Sequence, residues 1–267
     1  MTEPHAIFDR RSVRAHRDRA ARHTETHAFL LEEMAERLCD RLSDIAKPFP
    51  LALDLGAHHG VLAGIAQQRG GVEQWVQADL SRAYMAAATG LRVVADEEYI
   101  PFAANSFDLV MSCGSLQWVN DVPGALVQIH RILKPGGLFL CMVPGGQTLK
   151  ELRESFEQAE MAQRGGISPR VSPFIDVKDA GSLLQRAGFA EPVTDSQWLT
   201  VSYAHPLKLL KDLRAMGESN ALTQRSKTLT PCSIIMAMAD HYLRHYSDEQ
   251  GRIPATFELV TMTGWKD

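Results

Sequence analysis

Leu51-Ala52-Leu53-Asp54-Leu55-Gly56-Ala57-His58-His59-Gly60 is a short apolar run carrying one acid and closed by two glycines four residues apart. The run Leu51 to Leu55 is too short for a helix and reads as a buried strand. The glycines break it, and a helix begins near Val61. A strand, a glycine turn and a helix in immediate succession form the unit at which an open α/β sheet binds a nucleotide-like ligand. Glycine lets the backbone approach the ligand, and the amides of the helix N-terminus attract an anion.

Outward from this unit, apolar runs alternate with helical stretches. Trp75 to Asp79, Leu91 to Ala95, Phe107 to Cys113 and Leu138 to Val143 read as further strands. Between the last two, Val122 to Leu133 places Val122, Ala125, Leu126, Ile129 and Leu133 on one helical face, and Lys134-Pro135-Gly136-Gly137 ends that helix. Strands separated by helices of this length imply right-handed crossovers and a parallel sheet. Upstream, Phe29, Leu30, Met34, Leu38 and Leu42 give Thr24 to Leu42 the stripe of a helix that stops at Lys47-Pro48-Phe49-Pro50. After Gly145 the rhythm changes. A helix around Gln147 to Gln163, a loop from Gly165 to Pro173 and a helix ending at Gly188 read as insertions, and Gln197 to Tyr203 and Thr256 to Trp265 alternate as edge strands do. No internal repeat or linker composition is present. We expect an N-terminal basic arm and helix over residues 1–46, and a single domain over 47–267 with insertions near 145–188 and 205–250.

Composition narrows the function. The chain has 267 residues, 45% of them hydrophobic, and 28 Lys+Arg against 32 Asp+Glu give a net charge of -4. That balance argues against a protein built around the nucleic-acid backbone. Cys39, Cys113, Cys141 and Cys232 form no CxxC pair and read as free thiols in a reducing cytoplasm. No apolar stretch is long enough to span a bilayer. Arg10, Arg11, Arg14, Arg17, Arg19 and Arg22 crowd the N-terminus. Such a run is first a solvated helix face, and in a sharper reading an arm that docks an acidic partner or closes over a cofactor.

The loop does not fit a dinucleotide. In the G-x-G-x-x-G frame its positions are Gly56, His58 and Val61, so two of three glycines are missing. An acid two residues before the first glycine suits a ligand that carries an ammonium, while the helix terminus faces a carboxylate. S-adenosylmethionine carries both. Asp79, at the end of the second strand, is placed to accept hydrogen bonds from ribose hydroxyls, and Asp96, after the third, from the adenine amine. We assign the cofactor site to Asp54, Gly56, Ala57, His58, Gly60, Asp79, Leu80, Asp96, Glu97, Ser112, Cys113 and Trp118, the last three with Gly114, Ser115 and Gln117 lining the crevice after the fourth strand. Trp118 reads equally as core packing. Methyl transfer from a sulfonium needs positioning and a dry site more than acid or base help, so no general base is named. His23-Thr24-Glu25-Thr26-His27 offers two histidines and an acid, but on a helix Glu25 points away from the histidine face, so no metal site is assigned.

The chain resembles the methyltransferase-like assembly factors of respiratory complex I and, more distantly, the malonyl-acyl-carrier-protein methyltransferase of biotin synthesis. The resemblance runs through Phe49 to Gly56, Ala95 to Phe102, Asn105 to Ser112 and Ser115 to Gly137. Gly166 to Phe174, Met216 to Leu222 and Ile253 to Lys266 are similar to the complex I factors in particular. It implies an α/β, Rossmann-like class I methyltransferase fold: a mostly parallel twisted sheet, helices on both faces and C-terminal helical insertions. It implies S-adenosylmethionine as cofactor and a protein acceptor, such as a complex I subunit, or a carrier-bound one. Members of the group are associated with arginine hydroxylation, which keeps a hydroxylase, and beyond it a non-catalytic assembly chaperone, in view. His58 departs from the glycine usual at its position, and its Cβ crowds the place where the methionine part of the ligand lies.

Overall fold

The computed structural model describes residues 6–22 and 27–267. Its frame is a seven-stranded sheet in the order β3-β2-β1-β4-β5-β7-β6, built from β1 (Phe49–Leu55), β2 (Val72–Asp79), β3 (Leu91–Val94), β4 (Phe107–Cys113), β5 (Leu133–Pro144), β6 (Ala190–Tyr203) and β7 (Ile253–Trp265). The first five strands of that order are parallel, and β7 runs antiparallel to both its neighbours. Helices α1 (Arg10–Ala20), α2 (Phe29–Ser43), α3 (Val61–Arg69), α4 (Arg82–Ala87), α5 (Val122–Ile132), α6 (Lys150–Arg164), α7 (Val177–Arg186), α8 (Pro206–Ala215) and α9 (Cys232–Tyr246) complete it.

The two-residue period of a strand divides the core between the faces of the sheet. Leu138, Leu140 and Met142 of β5 join Leu38 of α2 and Met238 of α9 on one face, and Phe139, Cys141 and Val143 join Leu126 and Ile129 of α5 and Leu184 of α7 on the other. Each such fully buried side chain contributes on the order of 1.5 to 3 kcal/mol. Helix α5 starts where Asp121 accepts from the Gly124 amide at 2.9 Å, a cap of about 1 kcal/mol.

Two expectations need correction, and a third falls partly outside the described residues. Thr256 to Trp265 is not an edge strand. β7 lies between β5 and β6 and is buried over most of its length, its alternation reflecting two covered faces. Lys134 to Gly137 does more than end a helix: α5 stops at Ile132 and β5 starts at Leu133, with the Gly136 amide bonded to the Lys266 carbonyl. The upstream helix begins at Phe29, and residues 24–26 lie outside the described residues.

Helix α1 is capped by Asp9, which accepts from the Arg11 and Ser12 amides. The segment before it is held by backbone bonds, Asp9 to Ala221 and Thr223 to Ile7. These lay α1 across the carboxyl ends of the parallel strands, where its arginines meet the residues that follow β2, β3 and β4.

Candidate functional site

The strand order reverses between β1 and β4, and this switch point puts the β1 loop beside the ends of β2 and β4. Gly56 and Gly60 both have left-handed backbones, φ +77° and +80°. A Cβ on Gly56 would overlap the Ser115 hydroxyl, and one on Gly60 would lie 2.6 Å from Gln77 Oε1. Both positions therefore require glycine. His58, at φ +49°, adopts the same region with a side chain, an uncommon state for a non-glycine residue.

Asp54 ends β1 with 1% of its surface exposed. Neither carboxylate oxygen has a hydrogen-bond partner among the described residues. Burial pushes its pKa up to about 7; the Ala63 amide, near but outside hydrogen-bond geometry, and Asp79 act in opposite directions on it. An orphaned carboxylate at a parallel strand end is costly, and a cationic ligand group would relieve it.

Asp79, fully buried at the end of β2, accepts from the His58 amide at 2.9 Å and the Ser81 amide at 2.7 Å. Its third partner is Arg17 of α1. The Arg17 guanidinium sits 3.4 Å from Asp79, 2.6 Å from Glu97 and 2.8 Å from Ser115 Oγ. Burial opposes its charge, but Glu97 and Asp79 outweigh this and hold it protonated. Glu97 is likewise fully buried, yet Arg17 and Arg10 overcome the burial penalty and keep it well below the usual carboxylate range. Burial pushes Asp79 upward against the same arginine. Arg10 pairs with Asp96 at 2.5 Å and with Glu97.

The His58 ring fills the next part of the crevice. Its Nε2 lies 3.2 Å from the Gly114 carbonyl, and it meets Tyr84 edge-on at 5.6 Å. Burial, Arg17 and His59 lower its pKa to about 3, so the imidazole is neutral, and its Nδ1 has no partner among the described residues. With the His58 ring in place, the cavity beside Asp54 holds only about 10 Å³.

The structure thus brings Asp54, Gly56, Ala57, His58, Gly60, Asp79 and Glu97 together, with Asp96 at the rim. Leu80 packs with the Phe8, Val13 and Trp118 cluster. Cys113 borders the small cavity, its thiol pushed well up by burial. Ser112 does not face the crevice, because its hydroxyl donates to the Leu55 carbonyl at 2.7 Å and stitches β4 to β1. Trp118 packs edge-on against Phe8 and also borders a separate cavity of about 380 Å³. Sequence reasoning left Arg10 and Arg17 unassigned to the site, although their seven-residue spacing places both on one helix face. Tyr84 carried no local signal. His23 and Glu25 lie outside the described residues; among the described residues no group of three or more His, Cys, Asp or Glu is arranged to hold a metal.

A methyltransferase-domain family profile matches residues 53–141. Across nearly the whole chain, the sequence is 44% identical to the mitochondrial arginine-hydroxylase NDUFAF5 of Rattus norvegicus, covering 99% of this chain and 79% of that protein. It is 32% identical to a malonyl-[acyl-carrier protein] O-methyltransferase of Gallionella capsiferriformans, covering 97% and 92%. The fold matches that of a SAM-dependent methyltransferase of Thermotoga maritima with TM-score 0.56 at 17% identity, over 96% and 100% of the two chains.

Proposed function

Because the chain belongs to the family of the arginine-hydroxylase NDUFAF5 and carries the Rossmann-like class I methyltransferase fold, we propose that it is an S-adenosylmethionine-dependent enzyme that modifies a protein or carrier-bound acceptor in respiratory complex I assembly. The observation that carries this reading is Asp54, a buried carboxylate without a partner among the described residues, beneath a two-glycine turn at the sheet's switch point. The donor set fits the cofactor. Asp54 would face the ammonium, the amides opening α3 the carboxylate, Asp79 the ribose, and Asp96 with Glu97 the adenine side. The volume fits only after Arg17 and the His58 ring yield, since both fill the crevice in this conformation.

When bound, the cofactor supplies a methyl group activated on a sulfonium. The chain's own part is to bind, orient and keep out water. Desolvation around Asp54, Cys113 and the apolar wall of α2 provides the dry setting in which a charge-neutralising transfer gains most. A cytoplasmic location, in keeping with the free thiols, belongs to the same proposal.

Calorimetry tests the cofactor: S-adenosylhomocysteine binds the wild-type chain, and Asp79→Ala weakens it about tenfold or more, the loss of one or two hydrogen bonds to a charged acceptor. Wild-type protein that binds neither cofactor nor product refutes the reading. A second reading, arginine hydroxylation, is favoured by the name that the 44%-identical relative carries. It would require an oxidant and two electrons besides the cofactor. Mass spectrometry of a treated complex I subunit separates them, since a gain of about 14 Da marks methylation and about 16 Da hydroxylation. Stable capture of that subunit without a mass change marks a chaperone.

A further inference from the structure

Arg17 takes up acceptor capacity that a cofactor in the crevice would need. An ionised carboxylate offers about four lone-pair sites on its two oxygens. At Asp79 the Ser81 amide uses one on Oδ1 at 2.7 Å, and the His58 amide uses one on Oδ2 at 2.9 Å. Arg17 Nη1 spans the remaining pair, 3.4 Å from each oxygen. Two ribose hydroxyls would need those same two sites. At Glu97 the same nitrogen lies 2.6 Å from Oε1, where the Ser115 hydroxyl also donates, and Arg10 holds Oε2. A guanidinium in this position and an adenosine in the crevice therefore exclude one another.

The rest of α1 is held lightly. Its buried residues are Val13, Arg17 and Ala20, so only two small apolar side chains anchor it to the fold. Docking also leaves His16 Nδ1 and Arg19 Nε buried without a partner among the described residues, a cost that withdrawal would relieve. The start of the helix is fixed by backbone, with bonds of 2.8 Å joining Asp9 to Ala221 and Thr223 to Ile7. Its far end is held by side chains, where Asp18 accepts from the Ser81 hydroxyl at 2.6 Å and Arg19 donates to Ser219 Oγ at 3.1 Å. A helix pinned in this way pivots at its start. Arg17 lies about 12 Å along the axis from Asp9, so a tilt of about 20° carries it about 4 Å. Arg10, next to the pivot, keeps its pairs with Asp96 and Glu97. We infer that α1 is an occluding strap, that Arg17 stands in for the ligand at Asp79 and Glu97, and that the cofactor enters only as the far half of α1 swings out about the Ile7 to Asp9 tether. The inference rests on the reading of the crevice as the cofactor site. Such a strap lowers affinity without touching the bound ligand, because apparent affinity scales with the fraction of chains whose strap is out.

The test reads strap and ligand separately on the full chain. In the wild type, amide hydrogen exchange from Val13 to Ala20 should quicken about tenfold or more on saturation with S-adenosylhomocysteine, because a helix this short is marginal once it leaves its packing. By calorimetry, Arg17→Met should bind S-adenosylhomocysteine about tenfold or more tightly than the wild type does. Asp18→Ala, which loosens the strap from outside the crevice, should tighten binding by a smaller factor. Protection of α1 that stays the same or increases on saturation overturns the inference, since α1 would then be a cover over the bound ligand. Equal or weaker binding by Arg17→Met overturns it too. Should Arg17→Met fail to fold, exchange in the wild type and the affinity of Asp18→Ala still decide. If neither the wild type nor Arg17→Met binds, the cofactor reading and the strap fall together; if both bind equally, the strap falls alone.

Discussion

Arg17→Met asks whether the N-terminal arm truly occupies the crevice. In the wild type Arg17 is 2% exposed, and its guanidinium compensates Asp79 and Glu97, two fully buried carboxylates, while also donating to Ser115. Methionine keeps most of the length and apolar stem but removes every donor. Asp79 is then left without a cation and Glu97 keeps only Arg10, and breaking a buried charge network of this kind costs about 3 to 5 kcal/mol. For a chain of this size that lowers Tm by roughly 6 to 15 °C. A second substitution, Glu97→Gln, should recover part of the loss, because it removes the negative charge that repels the stranded Asp79. The pair therefore couples, whereas independent sites would add. Glu97 is held low in the wild type, so its contribution is present above the ordinary glutamate pKa and is lost only in strong acid. In Arg17→Met that contribution is reduced to what Arg10 supplies, and the deficit relative to wild type should shrink as pH falls from 7 toward 4. Urea denaturation of the four-member cycle at pH 7 and pH 5 measures all of this. A loss under about 1 kcal/mol, or additive effects of the two substitutions, would show that α1 lies on the surface and leaves the crevice open.

Further outcomes follow from the same geometry. Asp54 has its pKa raised from 3.8 to about 7, so its contribution to stability is full below the unfolded value and is lost as pH rises through 7. Ligand-free Asp54→Asn should therefore gain on wild type from pH 5 to pH 8, by up to about 2.5 kcal/mol, and parallel denaturation curves at the two pH values would contradict the buried, partnerless assignment. Gly56→Ala forces a Cβ into Ser115 at φ +77° and should cost about 2 kcal/mol or more with loss of cofactor binding, whereas Gly70→Ala, whose Cβ meets nothing within 4 Å, should leave cofactor affinity intact. Of the four cysteines only Cys232 is exposed, so a maleimide should label one thiol in the native chain and four after unfolding. Labelling of Cys113 in the folded state would mean that the wall beside Asp54 opens readily.

The parts of this architecture that are local in sequence were legible there. Five parallel strands, the switch-point loop and the acids at Asp54 and Asp79 each follow from patterns within a few residues of one another. What escaped was decided at long range. The alternation of Thr256 to Trp265 is that of an edge strand as much as that of a strand covered on both faces, and only pairing with both β5 and β6 separates the two. Ser112 reads as a crevice residue until its bond to Leu55 is seen. Arg17 meets Asp79 and Glu97 across 62 and 80 residues of chain, and no local rule connects them. Its helical step from Arg10 was the available clue, and a run of six arginines more commonly marks a wetted surface.

The placement of β7 has a consequence for how the protein is made. β6 is hydrogen-bonded to β7 alone among the described strands, and β7 comes after it by two helices, α8 and α9, and the loops around them. As the chain leaves the ribosome, the fourteen residues of β6 must wait beside the nascent β5 edge without docking, until the last strand slips between them. During that interval two open strand edges face solvent or a chaperone. A nonsense or frameshift change shortly before Ile253 would thus remove one strand and orphan another, and the product would be expected in aggregates, not in a trimmed but working enzyme.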